Sequence, residues 1–219
     1  LTITASFLGV NWFLFIWAIN NDHLLDASLG YFINPLLSVA LGVVFLNERL
    51  RKWQIFAVVL AIIGVAIQLI VIGSLPIVSL ALAGTFGIYG LLRKKMFLDS
   101  FVGLFIESIL MLPIALIYWF LMTDTATTNM FNNEWGLNMI LMMAGIVTTA
   151  PLLCFTAAAK RLTLSSLGFF QYIGPSIMFV LGVFYYQETL QLEKLVTFAF
   201  IWAALIVFSF DSLKARKTK

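Results

Sequence analysis

The chain has little of what most chemical sites are built from. It has one cysteine, Cys154, and one histidine, His23, and charged residues make up only 11% of its 219 residues. A single cysteine excludes an internal disulfide framework, and a single histidine excludes most histidine-ligated metal sites. We therefore expect no metal and no cofactor. So few charges, with a net charge of only +3, also exclude a disordered chain and a nucleic-acid-binding protein.

Apolar side chains dominate what is present. They account for 62% of the residues, and the mean hydropathy is +1.04, whereas soluble domains are nearer to half apolar and a quarter charged. A bilayer core needs about 20 apolar residues of helix, and runs of this kind lie at 2–19, 28–46, 53–72, 76–92, 100–122, 135–158, 164–186 and 194–211. The runs are continuous, unlike the alternating strands of a membrane barrel. The sequence predicts an all-α, polytopic transmembrane bundle of eight helices in a lipid bilayer.

Basic residues mark alternate breaks between these runs. Of the 13 Lys and Arg residues, all but Lys194 follow spans two, four, six and eight, at positions 49, 51, 52, 93–95, 160, 161, 214, 216, 217 and 219. Cytoplasmic loops carry such an excess. We therefore expect the C-terminus and the even-numbered breaks in the cytoplasm.

A shift of 140 residues aligns 33–50 with 173–190. Seven of these 18 positions are identical, at Ile33, Pro35, Leu41, Gly42, Val43, Glu48 and Leu50 and their counterparts, where roughly two matches would arise by chance in so biased a composition. The cations of the two segments fall at opposite ends: Asn20 and Asn21 of the first copy correspond to Lys160 and Arg161 of the second. This reversal predicts two copies that lie inverted in the membrane.

The repeat also predicts how the chain is divided. We expect residues 1–72 to be the last three helices of a first copy, residues 73–213 a second copy of five helices, and residues 214–219 a basic tail. On this hypothesis roughly 65 residues with two helices precede residue 1 in a protein of ten spans, five in each inverted copy.

Several stretches resemble the RarD family: VNW (10–12), LGYFINPL (29–36), FLNERL (45–50), FGIYGLLRKK (86–95), LGFFQYIGP (167–175) and TFAFIW (197–202). This family belongs to the EamA branch of the drug/metabolite transporter superfamily. The resemblance implies a permease of ten helices in the bacterial inner membrane, and the family carries a link to chloramphenicol sensitivity. The two missing helices are the departure from its pattern.

Two prolines at matching positions of the repeat indicate a binding site. Pro35 and Pro175 lie inside spans two and seven, and each frees the carbonyl four residues earlier, at Tyr31 and Gln171. Freed backbone at membrane depth lies in protein or lines a wet cavity, and interruptions in corresponding helices point to a substrate site. Asn34 precedes the first proline. The alternative is a pair of structural kinks.

Two pairs of polar and aromatic residues are further candidates for the wall of this site. Asn11 and Trp12 lie in the middle of span one, and Gln171 and Tyr172 in span seven. Trp12 is far from the headgroup regions where tryptophan anchors helices. The alternative for the asparagine is a hydrogen bond to a neighbouring helix.

Glu107 is an acidic residue well inside span five, about 10 Å from the cytoplasmic end. It is the candidate for proton coupling, and the alternative is a buried pair with Arg93 or Lys94 that fixes packing. Glu48 and Glu188, at opposite faces, are expected to be gate or capping residues.

The function that these features predict is secondary transport of small metabolites or drugs by alternating access. A passive channel or a membrane assembly subunit is the alternative, and a homodimer is left open. An intramembrane enzyme needs a cluster of nucleophile, acid and base, which the sequence does not offer.

Overall fold

The computed structural model describes residues 1–21, 23–72, 77–121, 130–185, 187 and 192–217. Within them every regular element is a helix, and none is a strand. The helices are α1 (Thr2–Asn20), α2 (Leu24–Leu46), α3 (Lys52–Ile72), α4 (Ile77–Lys95), α5 (Ser100–Leu121), α6 (Trp135–Arg161), α7 (Leu164–Gln171), α8 (Ile173–Phe184) and α9 (Leu192–Lys217).

Eight segments of these helices are long and apolar enough to cross a membrane, as the sequence predicts. The predicted and observed ends agree to within four residues, except that α9 continues to Lys217. The seventh crossing consists of two helices, α7 and α8, which meet at Tyr172. The chain is therefore a polytopic α-helical bundle, and one of its crossings is interrupted.

The two repeat-related prolines have different effects on their helices. Helix α2 continues through Pro35 for another 11 residues, to Leu46, whereas the helix that contains Pro175 begins only two residues before it. The expectation of interruptions at both prolines is therefore wrong for α2. Pro35 is less than 2% exposed and lies against Gly168 of α7, so close packing holds α2 continuous where one backbone hydrogen bond is lost.

Large apolar side chains cover the outside of the bundle, and many polar side chains lie inside it. Phe120, Met178 and Phe184 are each more than 65% exposed, while Ser79, Thr156 and Thr197 are fully buried. This distribution suits a lipid solvent, because polar groups are costly in hydrocarbon. In the interior α3 packs mainly along α9, and α2 packs on α4 and α7.

Small residues allow the closest of these contacts. A Cβ on Gly64 would lie 3.1 Å from the Thr197 carbonyl of α9, and one on Gly87 would lie 3.1 Å from Leu41 of α2. Gly84 has open space beside it, so only part of the predicted glycine stripe on α4 serves packing.

Helices that the 140-residue shift relates begin at related residues. Leu24 and Leu164 begin α2 and α7, and Lys52 and Leu192 begin α3 and α9. Contacts between related helices also run in opposite directions: Phe32 meets Tyr172, and further along α2 Gly42 meets Ser165. Helices α2 and α7 are therefore antiparallel, and so are α3 and α9, in which Arg51 pairs with Asp211 and Gly64 meets Thr197.

Candidate functional site

Two carboxamides meet between α2 and α7. Asn34 Nδ2 donates to Gln171 Oε1 over 2.5 Å, and Asn34 is 8% exposed. The helices approach closely because α7 has a glycine here: a Cβ on Gly168 would lie 2.6 Å from the Pro35 carbonyl and 3.0 Å from Ser38 Cβ. After this bond, Asn34 Oδ1 and Gln171 Nε2 remain buried with no partner in the structure. An acceptor and a donor are thus left unused in the interior, which is unusual in folded proteins.

Tyr172 forms the junction between α7 and α8. Its side chain is fully buried, and its hydroxyl donates to the Phe32 carbonyl of α2 over 3.1 Å. On the α8 side, Ser176 Oγ donates to the Tyr172 carbonyl over 2.8 Å and accepts from Trp202 Nε1 of α9 over 3.0 Å. Hydrogen bonds to α2 and to α9 therefore fix the two ends of the interruption.

An open groove with a volume of about 370 Å³ begins beside this junction, between α8 and α9. Its polar atoms are few, and its remaining wall is aliphatic. The lining residues are Ile173, Ser176, Ile177, Val180, Leu181, Trp202 and Leu205. Such a surface suits the apolar part of an amphipathic molecule.

The candidates on α1 lie against a different helix. Asn11 Nδ2 donates to the Leu82 carbonyl and to Thr85 Oγ1 of α4, both over 2.9 Å. This is the helix-to-helix bond that the alternative interpretation predicts. Trp12 beside it is 38% exposed. No hydrogen bond or ring contact given for the described residues joins either residue to the Asn34–Gln171 pair.

Tyr31 lies near the pair in sequence but turns its ring elsewhere. It is 45% exposed, and its ring meets Phe15 of α1 edge-on, with centroids 6.0 Å apart. Of the eight predicted binding residues, the structure thus brings Asn34, Pro35, Gln171 and Tyr172 together, with Pro175 three residues beyond the junction.

Glu107 pairs with Arg93, one of its two predicted partners. Arg93 Nη1 lies 3.5 Å from Glu107 Oε1, and both side chains are fully buried. Tyr89 donates to Glu107 Oε2 over 3.2 Å, and Arg93 Nη2 donates to the Ser100 carbonyl over 2.8 Å. A Cβ on Gly103 would lie 2.0 Å from Arg93 Nη1, so this glycine makes room for the guanidinium between α4 and α5.

Polar bonds also join the helices where the basic residues cluster. We call this region, which includes Arg51, Lys94 and Lys160, the basic end. The Glu48 carboxylate accepts from the Leu164 and Ser165 N–H groups over 2.6 and 2.9 Å, and from Ser165 Oγ over 2.7 Å. Glu48 thus caps α7 from the end of α2, as the sequence predicts for a capping residue. Glu188 lies outside the described residues.

Two further contacts hold the same end. Lys94 Nζ donates to the Ala159 carbonyl of α6 over 3.1 Å and also to the Leu162 carbonyl. Arg51 Nε donates to Asp211 Oδ2 over 2.5 Å, which links α9 to the residue before α3. The basic end of the bundle is therefore closed by polar contacts between different helices.

Ser176 and Trp202 are site residues that the sequence reasoning missed. Trp202 lies in the middle of span eight, far from the headgroup regions, so the argument applied to Trp12 would have found it. Ser176 gives no comparable signal, because serines commonly bond to their own helix. Among the described residues no group of three or more His, Cys, Asp or Glu side chains is arranged to hold a metal ion.

Comparison with known proteins identifies relatives along nearly the whole chain. Residues 1–70 match the EamA-like transporter family. An uncharacterized transporter of Vibrio cholerae is 61% identical over 98% of this chain and 71% of its own length. Protein RarD of Escherichia coli is 54% identical over 99% of this chain and 73% of its own length.

A more distant relative is the chloramphenicol-sensitive protein RarD of Pseudomonas aeruginosa. It is 32% identical over 97% of this chain and 70% of its own length. The sequence motifs, the eight apolar helices and these relatives agree: the chain is a multi-pass membrane protein and belongs to the RarD family of EamA-like transporters.

Proposed function

We propose that this chain forms the transport pathway of a secondary carrier for small, amphipathic molecules, which works by alternating access. The observation that carries the proposal is the Asn34–Gln171 pair with its unused buried atoms, at the place where the seventh crossing is interrupted. Unpaired polar groups inside a membrane protein are costly, and a substrate that pairs with them explains their presence.

The repeat supports alternating access. Carriers with inverted repeats bind substrate where the copies meet, and one copy rocks against the other. The bond from Tyr172 to the Phe32 carbonyl joins residues 140 apart, which is the repeat shift itself. The proposed site therefore lies where equivalent positions of the two copies face each other. The division into 1–72, 73–213 and 214–219 is part of this proposal.

The basic end serves as a gate in this scheme. We place the chain in the bacterial inner membrane with its basic end and C-terminus in the cytoplasm, because Lys and Arg favour that side. Opening toward the cytoplasm then requires the Glu48 contacts with α7 to separate, since they join α2 to its repeat-related helix.

Proton coupling through Glu107 is a separate part of the proposal. The carboxylate is buried in an ion pair with Arg93, and this arrangement also fits a purely structural role. The test is a Glu107→Gln variant in vesicles with an imposed pH difference. Loss of pH-driven accumulation, with exchange of substrate retained, supports coupling. Unchanged dependence on the pH difference contradicts it.

Counterflow in liposomes tests the carrier itself. Vesicles that contain the protein are loaded with unlabelled chloramphenicol, chosen because a relative is named for sensitivity to it, and are diluted into a trace of labelled compound. A carrier exchanges internal for external molecules, so labelled chloramphenicol transiently exceeds its equilibrium level. A passive channel gives a simple approach to equilibrium, and that result contradicts the proposal.

Two variants localise the pathway. Asn34→Leu removes one amide of the pair, and we expect the overshoot to fall at least tenfold. Gln68→Met removes an amide of similar size from α3, where it faces Thr197, and we expect the overshoot to change less than twofold. A homodimer stays an open prediction on which this experiment does not depend.

A further inference from the structure

We infer that the Asn34–Gln171 pair selects an uncharged substrate group that both donates and accepts a hydrogen bond, such as a carboxamide or a hydroxyl. This inference rests on the proposed carrier function and names the chemistry that its site recognises. It follows from which atoms of the pair are unused and from the absence of charge on the helices that carry them.

The unused atoms are complementary. One N–H of Asn34 and the oxygen of Gln171 satisfy each other, so the oxygen of Asn34 and the amino group of Gln171 remain. Exchanging the oxygen and nitrogen positions in both amides again leaves one oxygen and one amino group. The site therefore offers one acceptor and one donor in either assignment. A ligand group that pairs with both must itself donate and accept.

The helices around the pair supply no opposite charge for an ion. Residues 27–46 of α2, the whole of α7 and the whole of α8 contain no Asp, Glu, Lys, Arg or His. The buried charges of Arg93 and Glu107 already face each other. An ionised group would lose its hydration at the pair without gaining a counter-ion, so the site disfavours carboxylates and ammonium groups.

Neighbouring polar groups already have partners. The Tyr172 hydroxyl is bonded to the Phe32 carbonyl, and Ser176 Oγ is bonded to Trp202 and to the Tyr172 carbonyl. The amide pair is thus left to recognise the polar group. The groove that begins at Ile173, two residues after Gln171, is lined mainly by apolar groups and suits the rest of an amphipathic molecule.

A matched series of probes tests this selection on the purified full chain in lipid nanodiscs. Phenylacetamide donates and accepts, N,N-dimethylphenylacetamide only accepts, and phenylacetate carries a charge. Ligand binding to the native state raises the melting midpoint in a concentration-dependent way. We expect phenylacetamide to bind at least tenfold more tightly than either other probe, because an unpaired buried amide strongly penalises the wrong ligand.

Variants assign the preference to the pair. Asn34→Leu and Gln171→Met should reduce the preference for phenylacetamide to less than twofold, while Gln68→Met should retain it. Equal binding of the three probes, absence of binding, or a single ordered water that satisfies both amides overturns the inference. The wild-type series needs no variant to fold. If counterflow of chloramphenicol persists while the preference is absent, only this inference fails and the carrier proposal stands.

Discussion

Asn47 and Gln187 lie 140 residues apart, and both have a φ of 52°. They follow α2 and α8, the first part of one crossing and the second part of its repeat-related crossing. The left-handed conformation is rare for residues other than glycine, so its presence at two positions related by the repeat shift is informative. Each copy leaves the membrane through the same backbone turn, although the side chains that form the turn differ.

Glycine at these turns should stabilise the protein. A left-handed L-residue costs about 1–2 kcal/mol, and asparagine tolerates this conformation better than glutamine. We expect Gln187→Gly to raise the melting midpoint in detergent by about 2–4 °C, and Asn47→Gly to raise it by less. Ala150→Gly, in an exposed part of α6, should lower it by a similar amount. An unchanged midpoint for Gln187→Gly would contradict the assigned turn.

Removing the Glu48 carboxylate should weaken the basic end. Glu48→Ala leaves the Leu164 and Ser165 N–H groups without their acceptor, and we expect a loss of about 1–3 kcal/mol in the free energy of unfolding. Glu134→Ala is the matched control, because Glu134 precedes α6 without a side-chain capping bond. Its cost should be below about 0.5 kcal/mol. Chemical unfolding in micelles measures both.

Gly42 should act through the same carboxylate. A Cβ at this position would lie 2.6 Å from Glu48 Oε2, so Gly42→Ala displaces the cap. The loss in the double variant with Glu48→Ala should therefore be smaller than the sum of the two single losses. Additive losses would show that the glycine serves another contact.

The buried pair between α4 and α5 should be sensitive to the loss of one partner. Glu107→Ala leaves the Arg93 guanidinium without a counter-charge, and we expect a loss of about 3–5 kcal/mol in stability. Replacing both residues, as in Arg93→Met with Glu107→Leu, should cost less than Glu107→Ala alone. A double variant less stable than Glu107→Ala would contradict this account. Unfolding followed by tryptophan fluorescence measures the three proteins.

Asp99 should contribute to the pH dependence of stability. Its Oδ1 accepts from the Phe101 N–H over 2.9 Å at the start of α5, and this bond holds the pKa of the carboxyl below its usual value. Because the folded pKa is the lower one, the stabilisation is present above the unfolded pKa of about 3.9 and is lost as the pH falls through the folded pKa.

The isosteric variant Asp99→Asn isolates this contribution. Between pH 6 and pH 3 the melting midpoint of the unmodified protein should fall further than that of Asp99→Asn. Parallel curves for the two proteins would remove Asp99 from the acid dependence.

The crossings were predictable because the bilayer imposes both the length and the apolar character of each run. Part of the site was predictable for the same reason: Asn34 and Gln171 stand out because polar residues in such runs are costly. Their mutual hydrogen bond joins residues 137 apart, and it depends on the way α2 and α7 cross, which one sequence does not specify.

The effect of each proline was less predictable. Pro35 and Pro175 occupy equivalent positions, yet only the second lies in an interrupted crossing. Packing decides this difference, because α2 is held by both α4 and α7, whereas most side chains of α8 are exposed. Similarly, Asn11 was assigned to the binding site, and only the position of Leu82 and Thr85 reveals its bond to α4.

The junction at Tyr172 divides one crossing between two neighbours. Glu48 binds the start of α7 to α2, and Trp202 binds the start of α8 to α9 through Ser176. When α9 tilts, α8 is able to follow while α7 remains in place, since torsion angles at one residue accommodate the change. The two ends of a single crossing are thereby mechanically independent.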